Sequence, residues 1–128
     1  MNIDVFENYN FNYPEDTIIC MNNYNEEDIN RLIEFFKHLI FDTNFITYNL
    51  TDQEFVDSKV NLLFKIDNED IGIEKVNNNY ICGLTTKTYN NIIHKLLNHK
   101  KHSFQKGHLW LYDTLSSYEL LLSYDKQW

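Results

Sequence analysis

Four histidines, His94, His99, His102 and His108, fall within fifteen residues of one another. Imidazole at that density is the raw material of a zinc or other transition-metal site, which needs three or four converging ligands. The spacing speaks against one. His94 and His99 are five residues apart, about 140° around a helix, so they do not share a face. His99 and His102 stand at i, i+3, yet no Asp or Glu lies between Lys75 and Asp113, and Cys82 is a lone soft ligand with nothing to pair it. The four read as solvated histidines on a basic helix end, and neither a metal nor a cofactor is expected.

Nucleophilic and phosphate chemistry fare no better. Ser58, Ser103, Ser116, Ser117 and Ser123 all lack the Gly-x-Ser-x-Gly surroundings of a strained nucleophile elbow. Three scattered glycines, Gly72, Gly83 and Gly107, cannot build a phosphate-cradling loop. Carboxylates are so abundant that any pair of them is first a solvated surface pair. The expectation is a protein without enzymatic activity.

Charge distribution carries more. The chain has 128 residues, nineteen acids and eleven bases, for a net charge of -8. Met1 to Glu74 holds sixteen acids against Arg31, Lys37, Lys59 and Lys65, a net -12, while Lys75 to Trp128 holds seven lysines against Asp113, Glu119 and Asp125, a net +4. An acidic balance excludes a molecule that binds nucleic acid or anionic membrane over its whole surface, since both partners are polyanions. The first portion suits a cationic partner, with Asp67, Glu69, Asp70 and Glu74 around one turn and Asp52, Glu54 and Asp57 ahead of it as candidate anchors. The competing reading makes both runs solubilising faces, with acids at helix starts and lysines at helix ends. Glu26, Glu27 and Asp28 are explained by helix capping alone. A nucleic-acid patch of Lys95, Lys100, Lys101 and Lys106 within the Lys/His-rich 87–108 stretch is disfavoured, for it lacks interleaved stacking aromatics.

These residues must be positioned by one domain, given the length. Hydrophobic residues make up 43% and aromatics 16%, too much for an acidic disordered chain. Asn25 caps a first helix whose Ile29, Leu32, Ile33, Phe36, Leu39 and Ile40 keep one apolar face. Thr85 or Thr86 starts a second, with the stripe Tyr89, Ile92, Ile93, Leu96 and Leu97. Thr51-Asp52-Gln53-Glu54 has the capping-box pattern of a short third helix. Val60 to Leu84 reads as a three-stranded meander, broken at Asp67–Asp70 and Asn77–Asn79, with Asn doing the turn work that Gly and Pro usually do. Thr17 to Met21, Phe45 to Leu50, His108 to Tyr112 and Tyr118 to Ser123 complete the strands. The order β-α-β-α-βββ-α-ββ implies an α+β domain over 1–128, with a mainly antiparallel sheet, helices packed on it and residues 1–16 as a loose arm. The start lacks a signal-peptide pattern and no apolar run reaches membrane-spanning length, which predicts a cytoplasmic protein. Cys20 and Cys82 sit among apolar residues and read as buried free thiols, with a disulfide between them left open.

Three C-terminal segments carry a likeness: Tyr80-Ile81-Cys82-Gly83-Leu84; then, after a helix, Gly107-His108-Leu109-Trp110-Leu111-Tyr112; and Glu119-Leu120-Leu121-Leu122-Ser123. This strand–helix–Gly-His-aromatic strand ending resembles immunity proteins of bacterial contact-dependent inhibition and polymorphic-toxin systems, over roughly the last 50 residues. The resemblance implies a protein that binds a cognate toxin, often a nuclease, and blocks its active site or substrate groove. Interfaces differ among such proteins, so it assigns no binding residue. In this strand Gly107 and His108 read as structural, with Trp110 and Tyr112 on one side and Leu109 and Leu111 on the other. The expected function is therefore a non-enzymatic acidic inhibitor of a toxin with a basic surface. A phage anti-defence protein that mimics nucleic-acid charge is the alternative.

Overall fold

The structure, a computed structural model, describes residues 1–7, 16–41, 47–103, 107–113 and 117–128. Among them the chain runs β1 (Asn2–Glu7), β2 (Thr17–Asn22), α1 (Glu26–Phe41), β3 (Tyr48–Asn49), a single 3-10 turn (Leu50–Asp52), β4 (Asp57–Ser58), β5 (Asn61–Ile66), β6 (Gly72–Val76), β7 (Asn79–Leu84), α2 (Thr86–Ser103), β8 (His108–Tyr112) and β9 (Tyr118–Ser123). The result is an α+β domain in which two mixed sheets share one core with a pair of helices.

Periodicity places the helices. Ile29, Leu32, Ile33, Phe36 and Leu39 are buried along α1, as are Tyr89, Ile92, Ile93 and Leu96 along α2, while Leu97 turns outward at 42% exposure. Phe36 stacks on Tyr89 with ring centroids 5.9 Å apart. Tyr24, just ahead of α1, gives its hydroxyl to a 3.2 Å contact with Nε2 of His99 near the end of α2. The two helices therefore run antiparallel, and the acidic first turn of α1 lies beside the basic last turn of α2. The -12 and +4 portions of the chain thus meet at this end instead of forming opposite poles.

The sheet order is β4-β1-β2-β9-β8 in one sheet and β3-β5-β7-β6 in the other. The meander expected over Val60–Leu84 is replaced by a crossover. β5 pairs in parallel with β7, from Asn61↔Asn79 to Ile66↔Leu84, and β6 lies outside β7 as its antiparallel neighbour. Burial explains the swap. Leu62, Phe64, Tyr80, Cys82 and Leu84 are all buried and take the centre, whereas Glu74, Lys75 and Val76 are exposed and suit an edge.

Four other expectations change. Asn2–Glu7, assigned to a loose arm, is a strand in full antiparallel register with β2, because Ile3 and Val5 alternate into the core; the rest of that arm, 8–15, lies outside the described residues. The third helix is only the 3-10 turn: the Asn49 side chain accepts from the Thr51 N–H at 2.9 Å, capping earlier than the Thr51 pattern implies, and the backbone is extended again at Gln53. Of the Phe45–Leu50 strand, Tyr48–Asn49 is observed, and residues 42–46 lie outside the described set. In β8 a bulge between Trp110 and Tyr112 puts Tyr112 on the core side with Leu111, leaving Trp110 on the outer face against the Ile18, Cys20 and Leu121 cluster. Gly107 enters this strand at φ +73°, a backbone that side chains other than glycine's rarely adopt.

Candidate functional site

The seven predicted anchors separate into two groups once folded. Asp70 is committed to α2: its Oδ1 accepts from the Thr85 N–H at 2.8 Å and its Oδ2 from the Thr88 hydroxyl at 2.6 Å. Thr85 is the cap itself, its Oγ1 accepting from the Thr88 N–H at 3.2 Å. Burial pushes the Asp70 carboxyl up, but these hydrogen bonds to its charged form outweigh that and hold it below its ordinary value. Asp67 is likewise tied down. Its N–H donates to the Leu84 carbonyl at 2.9 Å, and its carboxylate lies against Gly83, where an added Cβ would sit 2.1 Å from Oδ2. That buried oxygen is 3.6 Å from Nζ of Lys65, beyond hydrogen-bond reach. Asp67 and Asp70 are therefore parts of the scaffold.

Asp52, Glu54, Asp57, Glu69 and Glu74 are exposed, and among the described residues none of their carboxylates takes a hydrogen bond or an ion pair. They do not form one patch. Asp52, Glu54 and Asp57 cluster ahead of β5, Glu69 follows its far end, roughly 17 Å along the strand, and Glu74 lies on the β6 edge.

Of the first three, Glu54 borders a groove of about 460 Å³ between α1 and the Gln53–Phe55 turn, whereas Asp57 lines a separate hollow beside β1. One wall is the helix stripe Glu27, Arg31, Glu34 and His38, spaced i, i+4, i+7 and i+11. Phe35, Tyr48 and Phe55 supply its apolar side, and Glu54 closes the rim opposite the helix. Arg31 lies in the middle: its guanidinium carbon is 5.9 Å from the Phe55 ring centroid, and its Nε is 3.5 Å from Glu27. The Tyr48 hydroxyl is shielded from solvent and has no hydrogen-bond partner among the described residues. Sequence reasoning missed Glu27 and Glu34 here. Glu27 was absorbed into the helix cap, although the 27-31-34-38 spacing on the polar side of α1 was a legible stripe.

A second groove, about 440 Å³, lies between α2 and β8 and is lined by Asp70, Thr88, His94, Lys95 and Asp113 among others. Lys95 donates to the Trp110 carbonyl at 3.0 Å, so it caps an edge strand. The other histidines disperse, His99 to Tyr24, His108 to the Trp110 ring and His102 to the exposed end of α2. Among the described residues no three His, Cys, Asp or Glu side chains gather closely enough to hold a metal ion. Of the four lysines of the disfavoured nucleic-acid patch, Lys106 lies outside the described residues.

Both cysteines are free and buried. Burial raises the Cys20 thiol to about 11 and pushes Cys82 up as well, so neither is a thiolate near neutral pH. No described helix is long and apolar enough to cross a membrane.

No family model matches the chain, and neither a curated protein nor a solved structure does.

Proposed function

We propose that this protein is a non-enzymatic inhibitor that binds a cognate bacterial toxin through its acidic surface and covers the toxin's basic substrate groove. The observation that supports this reading is the set Asp52, Glu54, Asp57, Glu69 and Glu74, five exposed carboxylates without hydrogen-bond or ion-pair partners among the described residues. Acids used for capping or scaffolding, such as Asp28 and Asp70, are bonded. Uncompensated surface charge costs stability through self-repulsion and is useful where a partner supplies the opposite charge. Against a nuclease-type toxin, such a surface speeds encounter by steering and excludes substrate by occupancy.

The test is to read the genes flanking this one for a large protein with a basic C-terminal domain and to pair that domain with the protein; flanking genes that encode none would count against the proposal. A complex whose affinity falls steeply between low and physiological salt, and weakens further when Glu54 and Glu69 become Lys, is the expected result. Absence of a complex at low salt would overturn the proposal. So would preferential capture of a nucleic-acid-guided effector, which fits a nucleic-acid mimic instead.

A further inference from the structure

The geometry points to the α1 groove as a receptor for a single arginine side chain presented by the partner. This inference rests on the acidic-inhibitor reading and names the contact that would anchor it. Two features converge. Glu27, Glu34 and Glu54 place negative charge on both sides of a cavity of about 460 Å³. Phe35, Tyr48 and Phe55 line the same cavity with aromatic rings, whose faces attract cations, guanidinium above all.

The groove already displays this chemistry in miniature. Arg31 lies 5.9 Å over Phe55 and 3.5 Å from Glu27, the aromatic-plus-carboxylate pairing that an incoming guanidinium would make. At 50% side-chain exposure Arg31 is loosely held, and a single exposed ion pair is weak. It acts as a resident competitor: an entering arginine displaces it from Phe55 while Glu54, and Glu34 in place of its exposed 3.6 Å pairing with Lys37, supply two further carboxylates. Lysine has the charge but not the planar, stacking fork, so it fits less well.

The probes are N-acetyl-arginine amide, its lysine counterpart and N-acetyl-citrulline amide, the neutral isostere of the first, titrated into the full chain and followed by NMR. Arginine should shift the Phe35, Tyr48 and Phe55 resonances saturably, with a dissociation constant on the order of 10 mM for so small a ligand. Lysine should bind more weakly and citrulline not at all. Phe55→Leu keeps the acid rim and should weaken arginine about three- to fivefold. Glu34→Gln should weaken it by a similar factor of about two to five, whereas Arg31→Gln should tighten it. Equal binding of arginine and citrulline, equal binding of lysine, an unaffected Phe55→Leu variant, or shifts no larger than matched NaCl produces would each overturn the assignment. No toxin enters this experiment, so its failure leaves the inhibitor reading standing on its own test. Loss of toxin binding with the arginine response intact would overturn that reading alone.

Discussion

The two helices are packed on each other and close in length, yet they are built on opposite plans. α1 closes its own N-terminus: the Asn25 N–H donates to Asp28 Oδ2 at 3.0 Å and the Asp28 N–H to Asn25 Oδ1 at 2.8 Å, a reciprocal box made of four consecutive residues. Its surface charges also find partners on the same helix, Glu27 with Arg31 and Glu34 with Lys37. α2 has no acid in its first turn. It borrows Asp70 from the β5–β6 loop, fifteen residues before Thr85. Of its lysines, Lys95 is satisfied by a carbonyl of β8, and Lys87, Lys100 and Lys101 make no ion pair among the described residues. A self-capped helix depends on its own sequence; a helix with a borrowed cap depends on the fold around it.

The difference is broken most directly at Asp70. Asp70→Ala removes two hydrogen bonds to a charged group and the favourable charge at a helix N-terminus, and should cost about 2–3 kcal/mol in urea unfolding. Because α2 depends on the loop position as much as on Asp70 itself, Gly83→Ala should cost nearly as much, about 2 kcal/mol. The new methyl would occupy the place of the Asp67 carboxylate, and the loop is held to the end of β7 by the Asp67 N–H to Leu84 and the Ile71 N–H to Gly83, both at 2.9 Å. Asn25→Ala, which removes the side-chain acceptor of the local box, should cost only about 1 kcal/mol. The two caps lie at opposite ends of the antiparallel pair, so the Asp70 and Asn25 losses should add in the double variant. A strongly non-additive result would mean that the helices are coupled through their caps.

Acid sharpens the same contrast. The Asp70 carboxyl titrates lower when folded than when unfolded. Its contribution is therefore present above the ordinary unfolded value, near 4, and is lost as pH falls through the folded value. The stability gap between the wild type and Asp70→Asn should be constant from neutral pH down to about 5 and shrink below about 4. A gap that persists unchanged to pH 2 would show that Asp70 acts through geometry alone and not through its charge.

What could be read in the sequence follows the same division between local and distant causes. α1, its cap and its buried stripe were all legible, because periodicity and capping act within a few residues. The strands β2, β5, β7, β8 and β9 were legible as segments, but their neighbours were not. Pairing β5 with β7 follows from which strands are buried on assembly, and nothing between residues 60 and 84 states it. Asp70 looked like an exposed anchor since its partner, the Thr85 N–H, is reached only through the crossover. The bulge at Trp110 and Tyr112 moved one ring to the other face without any glycine or proline to announce it. At the groove, Glu54 was legible as an unpaired acid; its junction with Glu27, Arg31, Glu34, Tyr48 and Phe55 required the Gln53–Phe55 turn to fold back against α1.

The smallest expected effects are the most specific, since they concern α2's uncompensated lysines. Lys87 lies in the first turn of α2, where the helix dipole presents its positive end and a cation is unfavourable. Lys101 lies in the last turn, where a cation is favoured, beside the acidic first turn of α1. Both are exposed and unpaired among the described residues, so a purely local account of side-chain contacts assigns them equal, negligible roles. The dipole argument assigns them opposite signs. Lys87→Glu should stabilise the fold by about 0.5 kcal/mol and Lys101→Glu should destabilise it by about the same amount. Both effects should fade in 1 M salt, where the screening length is only about 3 Å. Were both reversals to shift stability in the same direction, the net charge of the chain, not the placement of charge along α2, would govern its stability. The contrast between the two helices would then concern their caps and not their charges.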